Sequence, residues 1–107
     1  MTANQIGGLD AAGWTSFNPG LTHDVRLGTN GAAKWGLGLL IDMNGTPNGR
    51  TPGSVGWAGL PNTYFWIDPP RRLTGVFVTQ VLPFYDPDAL DVCAGFERAV
   101  YDATSRL

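Results

Sequence analysis

Two strand-like segments, residues 54–60 and 62–68, meet at the turn-forming pair Pro61-Asn62 and constrain the fold more than any other feature of the sequence. The second segment contains three consecutive aromatic residues, Tyr64, Phe65 and Trp66, which are typical of strands. The close spacing of the two segments favours an antiparallel hairpin. The chain is therefore expected to build its core around an antiparallel sheet.

The flanking segments predict further elements of the same kind of fold. Residues 35–43 are apolar at every second position, which predicts a strand with one buried face, and residues 44–53 are nearly all turn formers. Residues 73–82 are apolar on both faces, which predicts a central strand covered on both sides. Residues 87–105 predict an amphipathic helix, with Asp86 as its cap and Pro87 at its first position.

Together these segments predict an α+β fold with an antiparallel sheet of about four strands, near 35–43, 54–60, 62–68 and 73–82, and a C-terminal helix. Residues 1–33 form a loop-rich N-terminal segment, and residues 34–107 form the sheet-and-helix part. A last strand that is apolar on both faces needs more cover than one helix provides. We therefore expect something outside this chain to complete the sheet.

Charge and composition exclude several classes of function. The net charge is −2 and the only adjacent basic pair is Arg71-Arg72, which is too little for a nucleic-acid surface. No apolar run approaches the roughly 20 residues of a membrane span, and no export signal is visible, which slightly favours the cytoplasm. The single cysteine, Cys93, lies on the apolar side of the expected helix and is expected to pack in the core. We expect no metal and no cofactor.

Three strings carry a resemblance to a known family: WGLGLLI at 35–41, GSVGWAGL at 53–60 and NTYFWIDP at 62–69. Together they resemble the C-terminal region of class C β-lactamase-related serine hydrolases and esterases, within the superfamily of β-lactamases and penicillin-binding proteins. The resemblance covers most of the chain and continues through Phe84 into residues 96–101. It implies a partial β-lactamase/transpeptidase-like fold.

The resemblance also implies a site. That family uses a Ser-x-x-Lys nucleophile motif, a Tyr-x-Asn motif and a third motif, Lys-Thr-Gly or a replacement. Here Trp57-Ala58-Gly59 stands where Lys-Thr-Gly would fall, and the tryptophan in place of lysine leans toward the esterase branch. The resemblance implies that these three residues contact substrate. It further implies that the backbone N–H of Leu60 is one half of an oxyanion hole, worth about 3 kcal/mol to the transition state.

The other two motifs are absent from the sequence. No serine begins Ser-x-x-Lys and no tyrosine begins Tyr-x-Asn, in a chain whose serines and tyrosines are Ser16, Ser54, Ser105, Tyr64, Tyr85 and Tyr101. Because both motifs precede the third one in the family, we expect an N-terminal part that was lost, cleaved or encoded separately. A triad of His23 and Asp24 with Ser16 or Ser54 would have to form in unpatterned loop, which argues against it.

Two functions remain open at the level of sequence. The chain is either the C-terminal fragment of an esterase-type serine hydrolase, inactive alone and acting on a small ester or amide only when completed by an N-terminal hydrolase segment, or a non-catalytic domain that self-associates through its uncovered sheet. Trp57 also has two interpretations: it contacts substrate, as the resemblance implies, or it is a strand tryptophan buried in the core.

Overall fold

The computed structural model describes residues 1–28 and 31–106. These residues form two antiparallel sheets and one helix. The first sheet pairs β1 (Gly13–Trp14) with β2 (Val25–Arg26). The second contains β3 (Ala33–Trp35), β4 (Leu40–Asp42), β5 (Ser54–Gly59), β6 (Thr63–Asp68) and β7 (Leu73–Phe77), and it is followed by α1 (Pro87–Thr104).

The five-stranded sheet is a meander in which each strand pairs antiparallel with the next, so the predicted α+β architecture is confirmed. The predicted hairpin is formed by β5 and β6, which are joined by a three-residue turn that ends at Asn62 in the left-handed conformation (φ 59°). The helix begins where its cap predicts, because Asp86 Oδ2 accepts a hydrogen bond from Ala89 N–H at 2.8 Å.

The single strand predicted over residues 35–43 is in fact a hairpin. Its first arm ends at Trp35 and its second begins at Leu40, and the turn is closed by a hydrogen bond of 2.9 Å from Gly36 N–H to the Leu39 carbonyl. Gly38 adopts φ 96°, which favours glycine over any other residue. The sheet therefore has five strands where about four were predicted.

The prediction that residues 73–82 form a central strand was wrong. Strand β7 ends at Phe77 and lies at the edge of the sheet, with Val76 and Val78 exposed at 61% and 71%. Within residues 1–28 and 31–106, no strand pairs with its outer edge. An apolar pattern on both faces indicates which surfaces favour burial, but it does not supply the segment that buries them.

Helix α1 packs on the sheet through Trp66, whose side chain is fully buried. The Trp66 ring lies 5.7 Å from that of Phe96 and 6.3 Å from that of Tyr101. A hydrogen-bonded chain continues from this contact: Trp66 Nε1 donates to the Tyr101 hydroxyl at 3.1 Å, and that hydroxyl donates to Asp68 Oδ2 at 2.8 Å. The helix is thus fixed to β6 by both ring packing and buried polar contacts.

The loop between β4 and β5 is attached to the helix by Arg50. Its guanidinium donates to both carboxylate oxygens of Glu97, at 2.9 and 3.1 Å, and to Asp42 Oδ2 at 2.9 Å. Glu97 is only 3% exposed, so this ion pair is largely removed from water. Burial of a charged helix residue was not predicted, although Glu97 lies four residues after the buried Cys93.

The β1–β2 ribbon places Trp14 against the segment that leads into the helix. The Trp14 ring stacks on Phe84 with centroids 6.0 Å apart. Phe84 is held in turn by backbone hydrogen bonds, donating to the Leu21 carbonyl at 2.8 Å and accepting from His23 N–H at 2.9 Å.

No helix in the described part of the chain is long and apolar enough to cross a bilayer.

Candidate functional site

The outer half of β5 is an open strand edge. Strand β4 pairs with β5 only from Ser54 to Gly56, whereas β6 pairs with β5 as far as Gly59. On the β4 side, residues 57–59 therefore have no strand partner among the residues that the structure describes. The three residues singled out by sequence, Trp57, Ala58 and Gly59, are those on this open edge, with Leu60 immediately beyond it.

Trp57 forms one wall of this edge. Its ring makes an edge-to-face contact with Trp35, with centroids 4.7 Å apart and an interplanar angle of 89°. A second edge-to-face contact, with centroids 6.4 Å apart, joins it to Trp14. Trp57 is half-buried, so it is a packed aromatic that still presents part of its surface to the open edge.

A groove of about 180 Å³ runs along the open edge, lined by Trp14, Trp57, Ala58, Gly59, Leu60 and Phe84. At Gly59 an added Cβ would meet Thr63 Cβ at 3.7 Å and Pro61 Cδ at 4.0 Å, which are ordinary contacts. Gly59 is therefore not required by packing at that point. Its lack of a side chain leaves the backbone of β5 accessible from the groove.

Leu60 begins the turn after β5 and is 48% exposed. The turn is held by the buried side chain of Asn62, which donates to the carbonyls of Val81 (2.8 Å) and Pro83 (2.9 Å). The same side chain accepts from the Tyr64 hydroxyl (2.7 Å) and from Asp86 N–H (3.0 Å). These four hydrogen bonds of Asn62 fix the turn that carries the Leu60 N–H.

The hydroxyl of Tyr64 remains a hydrogen-bond donor over the physiological range. Burial, together with nearby ionisable groups led by Cys93, raises the pKa of Tyr64 to about 12. The proton that it donates to Asn62 is therefore retained up to strongly alkaline pH. Tyr64 supports the turn structurally, and it does not stand in a Tyr-x-Asn motif.

A second, more enclosed cavity of about 120 Å³ lies behind Ala58, between the sheet, the start of α1 and the β1–β2 ribbon. It shares Trp14, Trp57, Ala58 and Phe84 with the groove. Asp42 also lines this cavity, and burial raises the pKa of its carboxyl despite the opposing effect of Arg50. The other residues that line it are Val25, Leu27, Leu40, Arg50, Gly56, Tyr64, Phe65, Tyr85 and Leu90.

The serines of the chain do not assemble a nucleophile within the described residues. Ser54 is fully buried, and its hydroxyl has no hydrogen-bond partner among them. Ser16 is bonded to Asp24 only through its backbone N–H, at 2.8 Å. Cys93 is buried, and burial raises the pKa of its thiol, as expected for a core residue. The described residues contain no group of His, Cys, Asp and Glu that could hold a metal ion.

Three residues that shape this region were missed at the level of sequence: Trp14, Asn62 and Phe84. Trp14 lies in a segment with no apolar period, and Phe84 lies in the irregular stretch before the helix, so neither carries a local signal. Asn62 was interpreted as a turn residue, which is correct. Its contacts with residues 81–86 depend on tertiary structure that no local pattern encodes.

Comparison with known proteins identifies relatives that are acyltransferases. The chain is 39% identical over 86 residues to ML-236A carboxylate methylbutanoyltransferase mlcH of Penicillium citrinum, covering 78% of this chain and 20% of that protein. It is 37% identical over 70 residues to monacolin J acid methylbutanoyltransferase of Aspergillus terreus, covering 63% of this chain and 17% of that protein. No protein-family profile matches the sequence.

Solved structures give the same result. The chain superposes on a LovD9 mutant of simvastatin synthase (LovD) from Aspergillus terreus with a TM-score of 0.66 and 31% identity, covering 70% of this chain and 20% of that one. For the unliganded selenomethionyl derivative of LovD the TM-score is 0.61 and the identity 34%, with 64% of this chain and 18% of that chain covered. The chain thus spans no more than about a fifth of the proteins that it matches.

Proposed function

Because this chain belongs to the β-lactamase-like superfamily of serine hydrolases and acyltransferases, we propose that it supplies the C-terminal wall of an acyl-transfer site. In this proposal Trp57, Ala58 and Gly59 contact the acyl substrate, and the Leu60 N–H stabilises the oxyanion. The nucleophilic serine, its lysine and the tyrosine come from polypeptide outside these 107 residues.

One observation supports this proposal: the β4 side of β5 has no strand partner, among the described residues, at Trp57, Ala58 and Gly59, the string that resembles the third motif. Strand β4 stops pairing at Gly56, so a substrate can lie along Trp57–Gly59 without displacing a strand. Gly59 leaves that approach clear. The Asn62 contacts fix the turn that follows, so the Leu60 N–H is preorganised, and preorganised donors are what makes an oxyanion hole effective.

The chemistry follows from that arrangement. A serine hydroxyl in polypeptide outside these 107 residues gives its proton to a general base there as its oxygen attacks the acyl carbonyl carbon. The carbonyl electron pair moves onto oxygen, and the Leu60 N–H donates to that oxyanion. The carbonyl re-forms as the leaving alcohol or thiol departs with a proton. The acyl group then passes to water or to a second alcohol. Two relatives are named methylbutanoyltransferases, so we propose transfer to an alcohol as well as hydrolysis.

The test is a chimera in which this chain replaces the matching C-terminal segment of the Aspergillus terreus methylbutanoyltransferase. We expect the chimera to hydrolyse p-nitrophenyl acetate, and the 107-residue chain alone to give no rate above buffer. Saturable turnover by the isolated chain, blocked by a serine-directed phosphonate, would contradict the proposal. A folded chimera with no turnover would contradict it as well.

A matched pair of variants at Leu60 isolates the backbone donor. Leu60→Pro removes the N–H and is expected to lower kcat of the chimera by about 100-fold or more, whereas Leu60→Ala keeps the N–H and should lower it only slightly. Gly59→Val adds a branched side chain at the open edge and should raise KM. Equal losses in Leu60→Pro and Leu60→Ala would mean that the side chain, and not the N–H, is what the site uses.

Self-association remains a second candidate, because β7 is an edge strand with an exposed apolar face. Val76 on this strand and Val78 just beyond its end are the residues that a second copy would cover. In this case the solution mass of the isolated chain would correspond to a dimer or larger assembly, and Val76→Lys together with Val78→Lys would return it to a monomer. A monomeric native chain would exclude this candidate.

A further inference from the structure

Trp14 reaches the candidate site from a remote part of the chain. It lies on β1, a strand of two residues whose only strand partner among the described residues is β2. Its ring stacks on Phe84, with centroids 6.0 Å apart and an interplanar angle of 13°, and meets the Trp57 ring at 6.4 Å and 61°. Its indole N–H has no hydrogen-bond partner within residues 1–28 and 31–106. The ring is therefore positioned by aromatic contacts and not by a hydrogen bond.

Trp14 borders two separate spaces. It lines the groove of about 180 Å³ along the open edge of β5, and it also lines the enclosed cavity of about 120 Å³. Phe84, on which its ring stacks, and Trp57, which its ring meets edge-to-face, line the same two spaces. The volume that the indole fills is therefore volume that neither space contains. A smaller side chain at position 14 would enlarge the groove.

The other residues that line both spaces are held by main-chain hydrogen bonds of larger elements. Trp57 and Ala58 belong to β5, which pairs with β6 as far as Gly59. The backbone of Phe84 is bonded to residues 21 and 23. Trp14 is 37% exposed, so part of its ring faces open space at the groove that it lines. An acyl group lying along residues 57–59 would meet this rigid ring, which limits the group's width.

We propose that Trp14 is a specificity-determining residue, whose indole ring restricts the groove to small acyl groups and excludes aromatic ones. This inference rests on the proposed acyl-transfer function, which puts the acyl group along Trp57–Gly59. Replacing Trp14 by alanine vacates a flat slot against the Phe84 ring. An aryl group matches that slot in shape and would stack on Phe84 in place of the indole. Trp14→Ala should therefore accept benzoyl esters that the native chain rejects.

The chimera tests this selectivity with p-nitrophenyl acetate and p-nitrophenyl benzoate. Trp14→Ala should raise the ratio of kcat/KM for the benzoate to kcat/KM for the acetate by about tenfold or more, and Trp14→Phe, which keeps a ring on Phe84, should raise it less. Trp35→Ala is the matched control, because Trp35 contacts Trp57 but lines neither the groove nor the enclosed cavity. Its ratio should stay near the native one. An unchanged ratio in Trp14→Ala, or an equal rise in Trp35→Ala, would overturn the proposal.

Binding to the isolated chain tests the same limit without catalysis. Sodium benzoate is titrated into the native 107-residue chain and its Trp14→Ala variant, with the backbone amide NMR signals of Ala58, Gly59 and Leu60 as the readout. Benzoate should bind Trp14→Ala about tenfold more tightly than the native chain and shift these three signals. Thermal unfolding verifies that the variant folds. Equal benzoate affinity in the native chain and folded Trp14→Ala would overturn the proposal.

The two experiments together separate this inference from the function on which it rests. A higher benzoate-to-acetate ratio in the Trp14→Ala chimera supports both. Tighter benzoate binding by the isolated Trp14→Ala chain, with a silent chimera, supports the size limit and contradicts the proposed function. An active chimera in which Trp14→Ala leaves the ratio unchanged contradicts the role of Trp14 alone.

Discussion

The side-chain oxygen of Asn62 accepts a hydrogen bond from the backbone N–H of Asp86 at 3.0 Å, across 24 residues of sequence. This bond connects the turn after β5 to the residue that caps α1. The turn at the candidate site and the start of the helix therefore form one structural unit, and a change in either should be felt in the other.

Replacing Asn62 should consequently be costly. Asn62→Ala removes four hydrogen bonds made by a fully buried side chain and leaves their partners unsatisfied, so we expect the free energy of unfolding to fall by about 3–5 kcal/mol. Asn62→Gly keeps the left-handed conformation at φ 59° and should be slightly less destabilising. Urea unfolding measures both; a loss below about 1 kcal/mol in Asn62→Ala would show that the network contributes little.

The ion pair between Arg50 and Glu97 should show strong coupling. Glu97→Met leaves the Arg50 guanidinium largely buried with Asp42 as its remaining carboxylate partner, and we expect a cost of about 3 kcal/mol. The double variant Arg50→Met/Glu97→Met should be less destabilised than the sum of the two single variants, because it leaves neither member of this pair as a buried charge without the other. Asp42 loses its contact with Arg50 equally in Arg50→Met and in the double variant. Additive losses in a double-mutant cycle would rule out a cooperative pair.

Asp68 should make the protein sensitive to acid. Burial pushes the pKa of this carboxyl upward, but hydrogen bonds from Thr51, Tyr101 and Arg71 outweigh it and hold the pKa below its ordinary value. A lowered folded-state pKa stabilises the protein above the unfolded-state pKa, near 4, and this stabilisation is lost as the pH falls through the folded-state value. The raised pKa of Asp42 acts in the opposite direction over the acid range.

The measurement compares the native chain with Asp68→Asn by urea unfolding at pH 6 and pH 3. The native chain should lose more stability on acidification than the variant, because the variant has no carboxyl to protonate at that position. The variant should also be less stable at pH 6. An identical pH dependence in the two proteins would show that Asp68 titrates normally.

Two glycine-to-alanine changes should have opposite effects. At Gly75 an added methyl group would overlap the Trp66 ring, so Gly75→Ala should destabilise by about 1–3 kcal/mol. At Gly95, inside α1, nothing lies within 4 Å of the new methyl group, so Gly95→Ala should stabilise by up to about 1 kcal/mol. Thermal unfolding of the pair checks both signs; destabilisation by Gly95→Ala would indicate that the helix surface there is covered.

The sequence predicts those elements that are determined by the spacing and type of neighbouring residues. The β5–β6 hairpin and the capped helix follow from spacing and from residues adjacent to each element. The reversal after Trp35 was missed because Gly36 and Gly38 fall at alternate positions and leave the two-residue apolar period intact. Of the alternating apolar residues only Ile41 is buried, whereas Leu37 and Met43 are 62% and 41% exposed, so the period predicted neither the direction of the chain nor a continuous buried face.

Long-range partners lie beyond such patterns. Glu97 is buried because Arg50, 47 residues earlier, meets it across the loop, and nothing in the helical period distinguishes it from a solvated glutamate. The same holds for the candidate site. Resemblance to a family identified Trp57–Leu60, but Trp14 and Phe84 enter the groove only through the fold. The cover expected on β7 is not provided by the described residues.

The short pairing of β4 makes the length of one hairpin a determinant of access. Leu40 is opposite Gly56, and the chain turns back at Leu39 before it can reach Ala58. Lengthening each arm of the β3–β4 hairpin by two residues would extend the ladder across Ala58 and seal the edge with main-chain hydrogen bonds. Insertions in this turn would therefore cover the open edge of β5, and deletions would lengthen it. Neither change would alter a residue that lines the groove, because the turn is distant in sequence from residues 57–60.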